Sequence, residues 1–232
     1  MDADFWLTRW EKNQLGFHQQ KVNSRLMRFW ESVARGSGAV FVPLCGKSTD
    51  MLWLAEIGHD VFGIEISDIA CRDFFLENGL DFELDEIHEE GVRKFQRFLG
   101  YTRDEHGEKK GRIELWQGDF FALTAQDLAS VRFVYDRASL VALPEDMRQR
   151  YGAHMAELTK PGDRILTITM EYDQSKMKGP PFSVPRQEVM DLFQEAFSVE
   201  IMSESSGPEI LGNLSERGLD TLAESVYLLT RK

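Results

Sequence analysis

The chain has 232 residues, 42% of them apolar, about one and a half times the ~150-residue domain norm, so one large domain, or a domain with appendages, is expected, with a sizeable core. Its 27 Lys and Arg stand against 39 Asp and Glu, and the resulting net charge of -12 opposes binding to nucleic acid or to an anionic membrane surface. The longest basic cluster, Lys109, Lys110 and Arg112, lies among Asp104, Glu105, Glu108 and Glu114 and reads as a solvated loop.

Asp2 and Asp4 occupy the place where a secretory signal needs positive charge, and no apolar run approaches the ~18 residues of a membrane span, so a cytoplasmic protein is expected. Two cysteines, Cys45 and Cys71, are too few for a disulfide framework and form no Cys-x-x-Cys pair. The five histidines have no metal-ligand spacing, so no metal is expected.

In chain order, an aromatic N-terminal segment and a helical stretch at 26–35 precede the continuous apolar run Ala39–Pro43, a strand covered on both faces. An amphipathic helix over 51–57, ended by Gly58, leads to a second strand, Val61–Ile64, that closes on Glu65. After a helix at 69–78 and a less regular acidic stretch, a third strand, Ile113–Trp116, runs into Gly118-Asp119-Phe120-Phe121. Residues 93–112 read as a polar insertion within the domain, exposed ahead of that strand. A fourth strand, Arg132–Tyr135, ends on Asp136-Arg137. The helix 144–158 and the strand 164–170 follow, then a Gly179-Pro180-Pro181 break, a helix at 187–196 and two final strands, 198–202 and 226–230. Strands alternating with helices imply an α/β sheet, mostly parallel, and the short last connection implies an antiparallel final strand.

Ligands of open α/β sheets bind outside the carboxyl ends of the strands, where strand order reverses. The candidates are therefore Leu44–Gly46, Glu65, Asp119-Phe120 and Asp136-Arg137. An acid ending the second strand, like Glu65, suits the ribose diol of a nucleoside cofactor, the other reading being an exposed strand-end acid. A pyrophosphate cradle needs Gly-x-Gly-x-x-Gly, and the first loop offers only Gly46, which disfavours NAD. S-adenosylmethionine, a nucleoside without a pyrophosphate, fits one close-approach glycine, one acid and apolar contacts from Leu44 and Phe120.

Trp6-x-x-x-Trp10 with Gly16-Phe17-His18, Pro43-Leu44-Cys45-Gly46-Lys47, Gly63-Ile64-Glu65-Ile66-Ser67, Gly118-Asp119-Phe120-Phe121, Asp136-Arg137-Ala138-Ser139-Leu140 and Gly179–Pro185 follow one another in order. Together they resemble the thiopurine S-methyltransferase family, bacterial type, over nearly the whole chain. The resemblance implies a single methyltransferase domain, 1–232. Its fold would be the seven-stranded, mostly parallel, doubly wound sheet of S-adenosylmethionine-dependent methyltransferases, with the last strand antiparallel. It implies methyl transfer from S-adenosylmethionine to the sulfur of small aromatic or heterocyclic thiols, with a link to selenium and tellurium compounds and their detoxification. By the same resemblance Trp6, Trp10, Leu44, Gly46, Glu65, Asp119, Phe120 and Arg137 contact the cofactor, and residues 1–20 form an aromatic lid. Phe17 and Arg137 contact the acceptor, Arg137 also as the catalytic cation. Arg217 is the nearest candidate for a further substrate arginine, although its flanking residues depart from the pattern.

Other readings remain open at this stage. Trp6 and Trp10, four apart, suit a core stripe as well as a lid, and Arg137 could pair with Asp136 or another strand-end acid. A non-thiol acceptor, or an S-adenosylmethionine-binding protein without catalysis, would keep the cofactor residues. Partners are expected to be small thiols or selenols and neither nucleic acid nor membrane, with the protein a monomer.

Overall fold

The computed structural model describes residues 3–16, 18–89 and 92–232, without the side chains of Val92 and Arg93. The chain begins with α1 (Ala3–Glu11) and α2 (Ser24–Val33). The start of α2 is fixed by Asn23, whose side chain accepts from the Arg25 and Leu26 amides, and Leu26, Trp30 and Val33 bury one face. Then come β1 (Ala39–Val42), α3 (Asp50–Glu56), β2 (Val61–Glu65) and α4 (Asp68–Glu77), the last capped by the Ser67 hydroxyl on the Ala70 amide. Three strands follow, β3 (Phe82–Glu89), β4 (Val92–Arg103) and β5 (Lys109–Gln117), and then a 3-10 turn over Phe120–Ala122. The second half comprises β6 (Val131–Arg137), α5 (Ser139–Ala142), α6 (Glu145–Leu158), β7 (Arg164–Glu171), α7 (Arg186–Phe193), β8 (Phe197–Ser206) and β9 (Ala223–Arg231).

The nine strands of the described residues form one sheet in the order β3-β4-β5-β2-β1-β6-β7-β9-β8. The five central strands are parallel, and β9 runs antiparallel to both β7 and β8, as the short final connection implied. The chain winds outward from β1 through β2 to β5 and then returns to β6, so strand order reverses between β1 and β6. One core, with Trp30, Leu54 and Phe74, lies under α2, α3 and α4; the other, with Phe41, Tyr151 and Phe193, lies under α6 and α7. Strands covered on both faces carry no polar alternation, and every residue of β2 is buried.

Among the described residues the sheet has nine strands where seven were expected, because β3 and β4 pair antiparallel and add to its edge. The stretch 93–112 is thus mostly strand, and the true loop is confined to Asp104–Glu108. Phe95 and Phe98, three apart, are both buried but join opposite cores, which hides the two-residue period of a strand. The interleaved cations are held by acids across the sheet: Arg97 by Asp85, and Lys94 by Glu89 and Asp127. Lys109 and Lys110 are exposed, as a solvated cluster would be, but they lie on β5.

Candidate active site

The carboxyl ends of β1, β2, β5 and β6 converge at the reversal point, and the backbone there departs from ordinary strand geometry. Leu44, just past β1, has φ +46°, and Ala138, just past β6, has φ +72°. Left-handed conformations at residues with a Cβ cost about 1–3 kcal/mol each and persist only where the surroundings impose them. Gly46 follows at φ +53°, and a Cβ there would sit 3.3 Å from Cζ2 of Trp10. The loop after β1 is also fixed by the Cys45 amide, which donates to the Ile64 carbonyl at 3.0 Å. Gly63 makes room for that loop, since a Cβ there would meet the Cys45 sulfur at 2.8 Å.

Glu65 ends β2 as a carboxylate only 6% exposed. One oxygen accepts from the Gly46 amide and the other from the Ser67 amide, both at 2.9 Å, so the group is fixed in plane between two loops. No cation among the described residues pairs with it, and burial raises its pKa above the ordinary carboxylate value. A carboxylate offers about four lone-pair sites, more than these amides fill, and in a desolvated anion the remainder favours an incoming pair of hydroxyl donors.

Asp119 is exposed beyond β5, its side chain accepting from the Phe121 amide at 2.9 Å and so starting the 3-10 turn. The turn is joined to β2 because Gly118 donates its amide to the Glu65 carbonyl and Gln117 donates its side-chain amide to the Ile66 carbonyl. The Phe120 ring, expected as an apolar contact, packs inward from this turn. It is buried in the core, stacked on Tyr151 at 4.9 Å and on Phe41 at 6.4 Å, which leaves its backbone amide, first in the turn, as the group available at the site.

On β6 alternate residues face opposite cores. Asp136, 2% exposed, lies beside Ser139 and Tyr151, and burial pushes its pKa to about 6. Arg137 points the other way, with Tyr135, and its guanidinium lies 3.6 Å from the buried Asp50 carboxylate. The acid that pairs with Arg137 is therefore Asp50, at the start of α3, and not its neighbour Asp136. Asp50, not singled out in the sequence, is a buried node whose hydrogen-bond partners are 27 and 85 residues away, so no local pattern announces it. Lys47 is also buried, paired with Glu77 at 2.6 Å and Asp73 at 3.3 Å.

The N-terminal segment lies at the same edge. Trp10 is 5% exposed, Trp6 is half-buried with its ring edge-on to Phe5 at 5.3 Å, and α1 packs on α4. Phe17 lies outside the described residues. His18 is half-buried, its pKa lowered by burial and by the nearby charges of Lys47 and Arg137. Asn213 donates to the Gly16 carbonyl at 3.0 Å and links this segment to the loop that carries the exposed Arg217. With Trp10 against Gly46 the cradle is covered. A groove of about 570 Å³ opens beside it between residues 19–25, Ile210 and Glu224, and a cavity of about 410 Å³ lies at the opposite, amino ends of the strands. Both cysteines are buried free thiols with pKa values raised by desolvation, which suits packing and not nucleophilic chemistry. Among the described residues no cluster of His, Cys, Asp and Glu could hold a metal ion, and no helix is long and apolar enough to cross a membrane.

The cradle of Glu65, Gly46 and the Asp119 turn offers what a nucleoside sulfonium needs: acceptors for a diol, close backbone approach and no phosphate-binding glycines. Solved methyltransferases share the fold. The structure is similar to the magnesium protoporphyrin IX methyltransferase of Synechocystis, solved with bound S-adenosylhomocysteine (TM-score 0.64, 11% identity, 100% of each chain). It is also similar to a SAM-dependent methyltransferase of Anabaena variabilis (TM-score 0.62, 14% identity, 99% of this chain and 95% of that one). In sequence it is 42% identical over 232 residues to the thiopurine S-methyltransferase of Pseudomonas paraeruginosa, covering 100% of both chains. It is 41% identical over 236 residues to that of Azotobacter vinelandii, again covering 100% of both. The family model for thiopurine S-methyltransferase matches residues 1–232, and the chain belongs to this family of S-adenosylmethionine-dependent methyltransferases.

Proposed function

We propose that the protein methylates the sulfur of small aromatic or heterocyclic thiols such as thiopurines, and that selenium and tellurium compounds are further acceptors, serving their detoxification. The observation that carries this reading is Arg137, a guanidinium whose side chain is 17% exposed, one strand from the cofactor cradle and suited to hold a thiolate. S-adenosylmethionine supplies the electrophilic methyl group. Glu65 takes the ribose hydroxyls, while the Asp119 carboxylate and the Phe120 amide take the edge of the base. Leu44 and Gly46 form the floor, and Trp6 and Trp10 close over it as part of a lid formed by residues 1–20, a tryptophan face near a sulfonium adding ~0.5–2 kcal/mol of attraction. Phe17 and Arg137 place the acceptor.

Arg137 holds the acceptor in its anionic form, and the closed lid excludes water and aligns the sulfur for in-line attack, effects together worth up to ~7–11 kcal/mol in favourable cases. No protein base is needed, because a heteroaromatic thiol is already partly ionised near neutral pH. The rate at subsaturating acceptor then rises with pH up to the acceptor's own pKa and levels off, and the profile moves along the pH axis when a more acidic thiol is used. A profile that stays fixed for thiols of different acidity belongs to an ionising protein group and refutes the base-free reading.

The same reading makes the protein a cytoplasmic monomer acting on small molecules and not on nucleic acid or membranes. The net charge of -12 supports it. So does the acidic edge strand β3, where Glu83, Asp85 and Glu86 are exposed and oppose pairing with the same strand of a second copy. Residues 1–232 act in it as one domain, with 82–103 an edge hairpin that contributes no residue to the site.

A further inference from the structure

We propose that Asp50 is a positioning residue for methyl transfer, acting through Arg137 and fixing that guanidinium relative to the N-terminal connector. The inference rests on the role given above to Arg137. The Asp50 carboxylate is 1% exposed at the first turn of α3, and three groups from two other parts of the chain converge on it. Its Oδ1 accepts from the Asn23 backbone amide at 2.7 Å, and its Oδ2 accepts from the Tyr135 hydroxyl at 2.8 Å and lies 3.6 Å from Nη1 of Arg137. Asn23 caps α2 and ends the connector that follows the N-terminal segment, while Tyr135 and Arg137 lie on the same face of β6.

Asp50 is the only ion-pair partner of Arg137 among the described residues, and at 3.6 Å it engages one end of the guanidinium. Arginine presents five N–H donors in a fixed plane, so most of them stay free for an anionic acceptor while the plane is anchored from behind. The anchor is itself rigid: the Tyr135 hydroxyl and the Asn23 amide hold the carboxylate from two sides. Loss of the carboxylate charge therefore leaves the cation in place chemically but frees its orientation. Glu65 and the Asp119 turn, the parts of the cofactor cradle at the ends of β2 and β5, share no hydrogen bond or ion pair with Asp50 and should not respond.

The test is a double-mutant cycle read as separate kcat, acceptor KM and S-adenosylhomocysteine affinity. Asp50→Asn, of the same shape, should lower kcat about tenfold or more, since ångström-scale misplacement of a reacting partner is that costly, while cofactor-product affinity stays within about threefold. In the Arg137→Met background the same change should cost less than about twofold. Tyr135→Phe retains the charge and removes one strut, so it should give a smaller kcat loss that also vanishes in the Arg137→Met background. That variant serves if Asp50→Asn does not fold. Full additivity of either change with Arg137→Met would overturn the inference and leave the role of Arg137 intact. If Arg137→Met itself turns over acceptor at the parent rate, the cation has no role and the reading beneath the inference falls with it.

Discussion

Replacing Glu65 with Gln changes one atom type in a buried carboxylate, and its consequence follows from the two amides that the group already accepts. Gly46 and Ser67 each donate at 2.9 Å to a different oxygen. In the variant one of those amides faces an NH2 group, a donor against a donor, and the charge that strengthened the free acceptor positions is gone. Hydrogen bonds to a charged partner contribute about 1.5–3 kcal/mol, so loss of the ribose contact predicts roughly 10- to 150-fold weaker binding of S-adenosylmethionine and S-adenosylhomocysteine. Stability should fall by less than the ~1–3 kcal/mol of an orphaned buried amide, because the variant also escapes the desolvation that raises the Glu65 pKa. Titration calorimetry with S-adenosylhomocysteine, alongside a thermal melt and near-UV dichroism, separates the two effects. A folded Glu65→Gln protein with parental affinity would refute the assignment of Glu65 to the cofactor.

Three further outcomes are expected. Amide exchange over residues 4–16 should slow on addition of S-adenosylhomocysteine if Trp6 and Trp10 gain burial from ligand; equal protection with and without ligand would make them a core stripe. Arg137→Lys keeps the charge but loses the planar fork and should reduce methylation of an aromatic thiol, and Arg137→Met should reduce it further, so parental rates in both would make the arginine structural. Asp136, held at about 6 against an ordinary 3.8, binds a proton in the native state that the unfolded chain releases, so its contribution is fully present below pH 3.8 and is lost as pH rises through about 6. At ~1.4 kcal/mol per pKa unit the penalty approaches about 3 kcal/mol by pH 8. The stability of Asp136→Asn relative to the parent should therefore improve between pH 4 and pH 8 in denaturant titrations, and a flat difference would contradict this.

Much of the site was legible because its chemistry sits at strand ends that the sequence marks plainly. β1 and β2 are continuous apolar runs that stop at Leu44 and Glu65, and β6 stops at Asp136-Arg137, so the alternation of strand and helix in the sequence places these residues at one edge. The edge hairpin was not legible, because Phe95 and Phe98 serve opposite cores and the charges between them find partners only across the sheet. The direction of the Phe120 ring was not legible for a related reason: a ring at a strand end can turn toward the core or the cleft, and the stacking with Phe41 and Tyr151 comes from distant segments. Asp50 was missed because a buried carboxylate in a first turn is identical in sequence to an ordinary helix-start acid.

The central claim is that this site joins a methyl group to the sulfur of a small aromatic thiol. The most direct measurement is incubation of the purified protein with S-adenosylmethionine carrying an isotopically labelled methyl group and a panel of aromatic thiols and selenols, with products identified by mass spectrometry and NMR. The account predicts an S-methyl product, labelled at its methyl carbon and formed one-for-one with S-adenosylhomocysteine, and no label in bulk tRNA or protein. Bound cofactor without turnover of any thiol, label on nitrogen or oxygen of the acceptor, or efficient labelling of tRNA or protein would contradict it.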